Sequence, residues 1–151
     1  MKTLEIAQDI VYLCNNKYKY SFNNTKIQKL LYLFVGFCLI NNIDEIYDID
    51  ETPKIWPYGP VFPRVHKKYH DKIKECKQDA IKSVSDEKIK YILEQTVEKW
   101  GNIPAAFLSD WSHIEGSPWY DLAIKQGAKW NTAIDLNNIK TYFKNNVENI
   151  I

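Results

Sequence analysis

Between residues 55 and 63 the chain reads Ile55-Trp56-Pro57-Tyr58-Gly59-Pro60-Val61-Phe62-Pro63, with three prolines, one glycine and three aromatics in nine residues. Each proline fixes φ and removes a backbone donor. Each residue before a proline is pushed out of the helical region, and Gly59 is free to take positive φ. Neither a regular helix nor a central strand tolerates that punctuation. The stretch predicts a rigid, extended turn whose aromatics pack between the flanking elements. The rest of the chain has to be built on its two sides.

On the N-terminal side, Leu4, Ala7, Val11 and Cys14 recur at helical spacing and predict an amphipathic helix over 3–15. Thr25-Lys26-Ile27-Gln28 has the capping-box arrangement and predicts a second helix starting at Thr25. Its wide apolar face of Ile27, Leu30, Leu31, Phe34, Val35 and Cys38 continues to Ile40 and makes it the expected core element. Gly36 inside it permits close approach by a neighbour. Ile46-Tyr47-Asp48-Ile49 and Lys54-Ile55-Trp56, joined through 50–53, predict a short β-hairpin before the turn.

Beyond the turn, Val61, Val65, Tyr69 and Ile73 repeat every four residues and predict a third helix to about Lys74, followed by an unassigned stretch over 76–84. Ser85-Asp86-Glu87 can cap a fourth helix that ends at Trp100-Gly101, and Pro104 opens a fifth carrying Leu108 and Trp111. Ser117-Pro118 starts a short helix that stops at Gly127. Trp130 to Ile134 reads as a connector, and Asp135 caps a last helix carrying Leu136, Ile139, Tyr142 and Phe143, with 145–151 fraying. The expectation is a mainly α fold, a single compact helical domain over 1–151 with that one hairpin.

Hydrophobic residues at 45% and charged residues at 26% fit a folded globule, and the net charge of +1 gives no field that would draw the whole molecule to nucleic acid. No run approaches the roughly 20 apolar residues of a membrane span, and the first residues lack a signal-peptide layout, so a soluble, cytoplasmic protein is expected. Cys14, Cys38 and Cys76 are odd in number and widely spaced, which reads as reduced, buried thiols. The charge is unevenly spread. Asp44, Glu45, Asp48, Asp50 and Glu51 precede the turn, and Arg64, Lys67, Lys68, Lys72, Lys74 and Lys77 follow it.

His66 and His70 share the i, i+4 spacing of helical metal ligands, with Asp71 and His113 as further candidates. However, Lys67 and Lys68 stand where a zincin has its glutamate, so no metal or other cofactor is expected. Asp110, His113 and Glu115 lie beside Gly116-Ser117-Pro118-Trp119 and could form a base oriented by an acid in a small hydrolase. Ser112 and Ser117 lack a G-x-S-x-G context, and no phosphate-binding glycine loop occurs. A structural corner accounts for His113 and Glu115 more simply than a catalytic one. The basic helix after residue 63 could contact phosphates in a nucleic-acid-binding regulator, a reading the balanced charge disfavours. A protein-binding surface fits better. Its candidate residues are Trp56, Tyr58 and Phe62 on the turn, Asp48, Asp50 and Glu51 before it, and Arg64, Lys67 and Lys68 after it.

Four blocks resemble the Panacea domain family, which includes SocA-like antitoxins and phage-associated proteins. They are Thr25-Lys26-Ile27-Gln28-Lys29-Leu30-Leu31-Tyr32; the 55–63 segment with Val65 and Tyr69; Leu108-Ser109 to His113 with Gly116-Ser117-Pro118-Trp119; and Ile139-Lys140-Thr141-Tyr142-Phe143. They follow the family's order, with Ser112 in place of the usual threonine and Ile27 in place of leucine. The resemblance implies a helical, non-enzymatic antitoxin of a toxin–antitoxin module. Such a protein neutralises a toxin by direct contact or by delivering it to a protease. Trp56 and Tyr58 are expected to pack toward the second helix and the 113–119 corner, leaving the acidic loop and 64–68 exposed to a partner.

Overall fold

The computed structural model describes residues 1–69 and 77–151. Helix α1 (Thr3–Tyr12) runs into a π-helical turn at Leu13–Lys17 and is followed by α2 (Asn24–Ile40). A 3₁₀ turn at Asp44–Asp48 leads to an antiparallel hairpin of β1 (Lys54–Trp56) and β2 (Gly59–Val61), then to α3 (Pro63–Tyr69). Helices α4 (Glu87–Trp100) and α5 (Ala105–Ser112) come next. Then α6 (Pro118–Tyr120) continues as a π-helical turn at Asp121–Lys125, and α7 (Leu136–Asn146) closes the order. The fold is mainly α with one small hairpin.

Helix α2 is the axis. Every residue from Lys26 to Leu39 is buried, and α1, α4, α5, α7 and the hairpin all pack on it. A helix apolar on so many sides is stable only when wrapped in this way. Its cap differs from the expected one: Asn23 Oδ1, not the Thr25 hydroxyl, accepts from Lys26 N–H at 2.9 Å, so the helix begins one residue earlier. Both residue types cap well, and the side chain that reaches the third amide wins. Of the Ser85-Asp86-Glu87 stretch it is Asp86 that caps α4, and Ser117 and Asp135 cap α6 and α7 as predicted. Gly36 admits the Phe143 ring, because a Cβ there would lie 2.2 Å from Phe143 Cε2. That ring sits edge-on to Tyr32, Phe37 and Trp111, with centroids 5.6–6.0 Å apart.

The hairpin forms at a different place from the predicted one. Ile46 and Ile49 are both buried, and a separation of three residues puts them on one side of a 3₁₀ turn, whereas a strand would put them on opposite faces. The partner of Lys54–Trp56 is the proline-glycine stretch itself, in register Lys54↔Val61, Ile55↔Pro60 and Trp56↔Gly59. Proline is tolerated because this is a short two-stranded element. Residues 131–134 run along the other side of β1. Ile55 N–H donates to Thr132 O, Asn131 N–H to Ile55 O, and Ile134 N–H to Pro53 O.

The C-terminal residues are tied down, contrary to the fraying expected of 145–151. Ile150 is buried, and Asn149 and Asn41 exchange side-chain amide hydrogen bonds at 3.0 Å. Within the unassigned stretch, Lys82 and Ser83 N–H donate to the buried Asp9 carboxylate, which moors that segment to α1. Cys14 and Cys38 are free and buried; burial pushes the Cys14 thiol up to about 12 and raises that of Cys38, so neither forms a thiolate readily. His70, Asp71, Lys72, Ile73, Lys74 and Cys76 lie outside the described residues. Among the described residues no helix is long and apolar enough to cross a membrane.

Candidate functional site

Three polar side chains on the first two turns of α2 point inward and hold backbone. Gln28 clamps Phe62 from both ends: Nε2 donates to Phe62 O at 3.1 Å, and Oε1 accepts from Phe62 N–H at 2.8 Å. Lys29, only 2% exposed, donates from Nζ to Pro60 O at 3.0 Å, and Lys26 donates to Gly101 O at 2.7 Å. Burial draws the Lys29 ammonium down to about 8. These residues escape periodicity analysis, which assigns polar positions to solvent. The available signal was a glutamine and two lysines in a helix too apolar to have a wet face.

With its base pinned in this way, the hairpin projects a two-residue tip, Pro57-Tyr58. The Tyr58 side chain is 80% exposed, and its carbonyl accepts from Ser109 Oγ at 3.3 Å. The expected packing of Tyr58 onto α2 and the 113–119 corner is therefore not found: Gly59, Pro60 and Phe62 take that place. Phe62 is fully buried and belongs to the core, which removes it from the candidate partner contacts. Trp56 does meet the corner, through its backbone. Trp119 Nε1 donates to Trp56 O at 2.8 Å, while the Trp56 ring lies against His66 and its Nε1 donates to Asn131 Oδ1.

Gly59 sits at φ +118°, and a Cβ there would lie 2.8 Å from Ser112 Oγ and 3.0 Å from Lys29 Nζ. Only glycine fits both the backbone and the space. His113 packs on Trp119 with ring centroids 5.4 Å apart, and its Nδ1 is buried without a hydrogen-bond partner. Neither Asp110 nor Glu115 therefore orients the ring through Nδ1, and Glu115 is exposed. His66 Nδ1 lies 3.0 Å from Asn24 Nδ2. Among the described residues no group of three or more histidine, cysteine or carboxylate side chains is placed to hold a metal ion.

The acidic loop and the start of the basic helix, both expected to be exposed to a partner, meet each other at Arg64. Arg64 pairs with Asp50 at 3.1 Å and Glu51 at 3.5 Å, and its backbone N–H donates to both Glu51 oxygens at 3.2 Å. Glu51 thus serves the start of α3, where a carboxylate meets free amides and the positive end of the helix. It is buried, and that burial raises its pKa against the opposing pull of Arg64. Glu51 is therefore a structural residue and not a surface contact. Asp48, Lys67 and Lys68 remain exposed.

The model of the family described as antitoxin SocA-like, Panacea domain, matches residues 27–120. That span contains the Gln28-Lys29 clamp, the hairpin and the Gly116-Ser117-Pro118-Trp119 corner. No curated protein and no solved structure matches the chain. The match covers well over half of the sequence, and its limits enclose the hairpin and the Gln28-Lys29 side chains that hold it against α2: the chain belongs to the SocA-like antitoxin, Panacea-domain family.

Proposed function

We propose that the protein, working as one unit over 1–151 in the cytoplasm, is the antitoxin of a toxin–antitoxin module and neutralises its toxin by direct contact at the hairpin tip. The observation that carries this reading is the contrast in Tyr58. Its backbone is fixed by a clamped hairpin and by Ser109, yet its ring is almost wholly in water. An aromatic held ready costs little further ordering on association, which is the property of an interface anchor. Exposed Asp48, Lys67 and Lys68, half-buried Trp56, and Arg64 with its Asp50 partner are assigned to the same contact.

Co-expression with the product of the adjacent gene tests the proposal. Growth should be rescued and the two proteins should co-purify, with both effects lost in Tyr58→Ala. Rescue that survives Tyr58→Ala removes the tip from the interface, and failure to rescue or to form a complex removes the antitoxin role. Persistence of the toxin in rescued cells supports neutralisation by contact; its disappearance supports delivery to a protease.

A further inference from the structure

A second exposed aromatic stands at the same end of the hairpin as Tyr58. Residues 131–134 run antiparallel to β1, with Lys54 opposite Ala133 and Asn131 N–H donating to Ile55 O, so Trp130, which precedes Asn131, lies at the tip end of that strand. Its ring stacks on Trp119 with centroids 6.2 Å apart, and Trp119 Nε1 in turn donates to Trp56 O, two residues before Tyr58. Trp119 is buried, whereas Trp130 is 53% exposed.

The mount of this indole is rigid. Lys129 O accepts from Thr132 N–H at 3.2 Å and from the Thr132 hydroxyl at 2.7 Å, which closes a turn over 129–132. Asn131 takes φ +75° at the third position of that turn, a conformation asparagine tolerates better than most residues with a side chain. Its Oδ1 accepts from Trp56 Nε1, so both its backbone and its side chain tie the turn to β1. An indole fixed in this way loses little freedom on association, and tryptophan is among the residue types enriched at the energetic centres of interfaces.

We propose that Trp130 is a second anchor for the toxin and packs against an apolar patch of that protein beside the patch that covers Tyr58. That the partner is the toxin rests on the antitoxin reading; that it reaches Trp130 follows from size. A stable complex covers about 800 Å² on each partner, roughly 20–30 residues, far more than one tyrosine ring supplies. A footprint of that area centred on Tyr58 extends across Trp56 to Trp130. A nucleic-acid strand also stacks on such rings but needs a positively charged track, which the net charge of +1 does not favour.

The test is the affinity of the full chain for the purified product of the adjacent gene. Trp130→Ala should weaken it about tenfold or more, while amide exchange across 55–62 stays as in the wild type, which separates a lost contact from a displaced hairpin. Tyr91→Ala, which removes an exposed ring from α4, should leave affinity unchanged. Hydroxyl-radical oxidation of Trp130 in the wild-type chain should slow in the complex, a reading that needs no substitution. A wild-type complex in which Trp130→Ala binds normally, or in which Trp130 oxidises at its free rate, overturns this proposal alone. Saturable binding of a single-stranded oligodeoxythymidine that Trp130→Ala abolishes overturns the assignment to a protein. Absence of a wild-type complex overturns the antitoxin reading and the second anchor with it.

Discussion

In its first two turns α2 spends Lys26, Gln28 and Lys29 on the carbonyls of Gly101, Phe62 and Pro60, while from Tyr32 onward it meets its neighbours with rings and a bare glycine. Both halves are buried, but they are held by different forces. Aromatic packing fills volume and specifies little about the backbone it touches. Hydrogen bonds to backbone specify position, and in doing so they let the helix seat an irregular, proline-broken segment that offers few side chains to pack. The half that positions the candidate interface is the polar one.

The largest test of this contrast is Phe143→Ala. Removing a ring that touches Gly36, Tyr32, Phe37 and Trp111 should cost about 4 kcal/mol in urea unfolding. Toxin rescue by the protein that still folds should persist, because the hairpin is held elsewhere. Next comes Gln28→Leu, which keeps the volume but strands the buried N–H and C=O of Phe62. A loss of about 3 kcal/mol is expected, accompanied by faster amide exchange across 59–62. A stability loss with unchanged exchange in the hairpin would dissolve the distinction between the two halves.

Lys29 sharpens the comparison through pH. Its folded value of about 8 lies below the ordinary 10.5, so the native state binds the proton more weakly than the unfolded chain. The burial penalty is therefore fully present below pH 8 and fades as pH rises toward 10.5. Relative to Lys29→Met, the wild-type protein should gain on the order of 3 kcal/mol across that window. Parallel stability curves for the two proteins would show that the ammonium is solvated. The smallest expected effect is that of Tyr58→Ala, which should shift unfolding by no more than about 0.5 kcal/mol while abolishing rescue.

The helices were legible in the sequence because their apolar residues recur at 3.6-residue spacing, and Asp86, Ser117 and Asp135 cap where they were expected to. Periodicity failed where the deciding partner is a backbone group far away. Nothing local in Gln28 or Lys29 reports that the carbonyls of 60 and 62 will arrive opposite them. The hairpin was misplaced for a related reason: Ile46 and Ile49 carry strand-like propensity, but their separation of three residues suits the 3₁₀ turn that buries both. At the candidate site, the aromatics of the turn were expected to pack; Phe62 does, whereas Tyr58 is exposed, and the burial of Glu51 was not expected. Burial there depends on Gln28 and Arg64, which are themselves polar.

The backbone bonds between residues 131–134 and β1 also bear on when the molecule becomes safe to release. A two-stranded hairpin leaves one edge open to pairing with another chain, and such edges are where unfinished proteins stick to each other. Here the cover for that edge is synthesised late, after the whole segment matched by the family model has been translated. A nascent chain paused before residue 131 carries its clamp and its tip but also an unguarded strand. Residues 131–134 thus act on the hairpin as its own built-in escort.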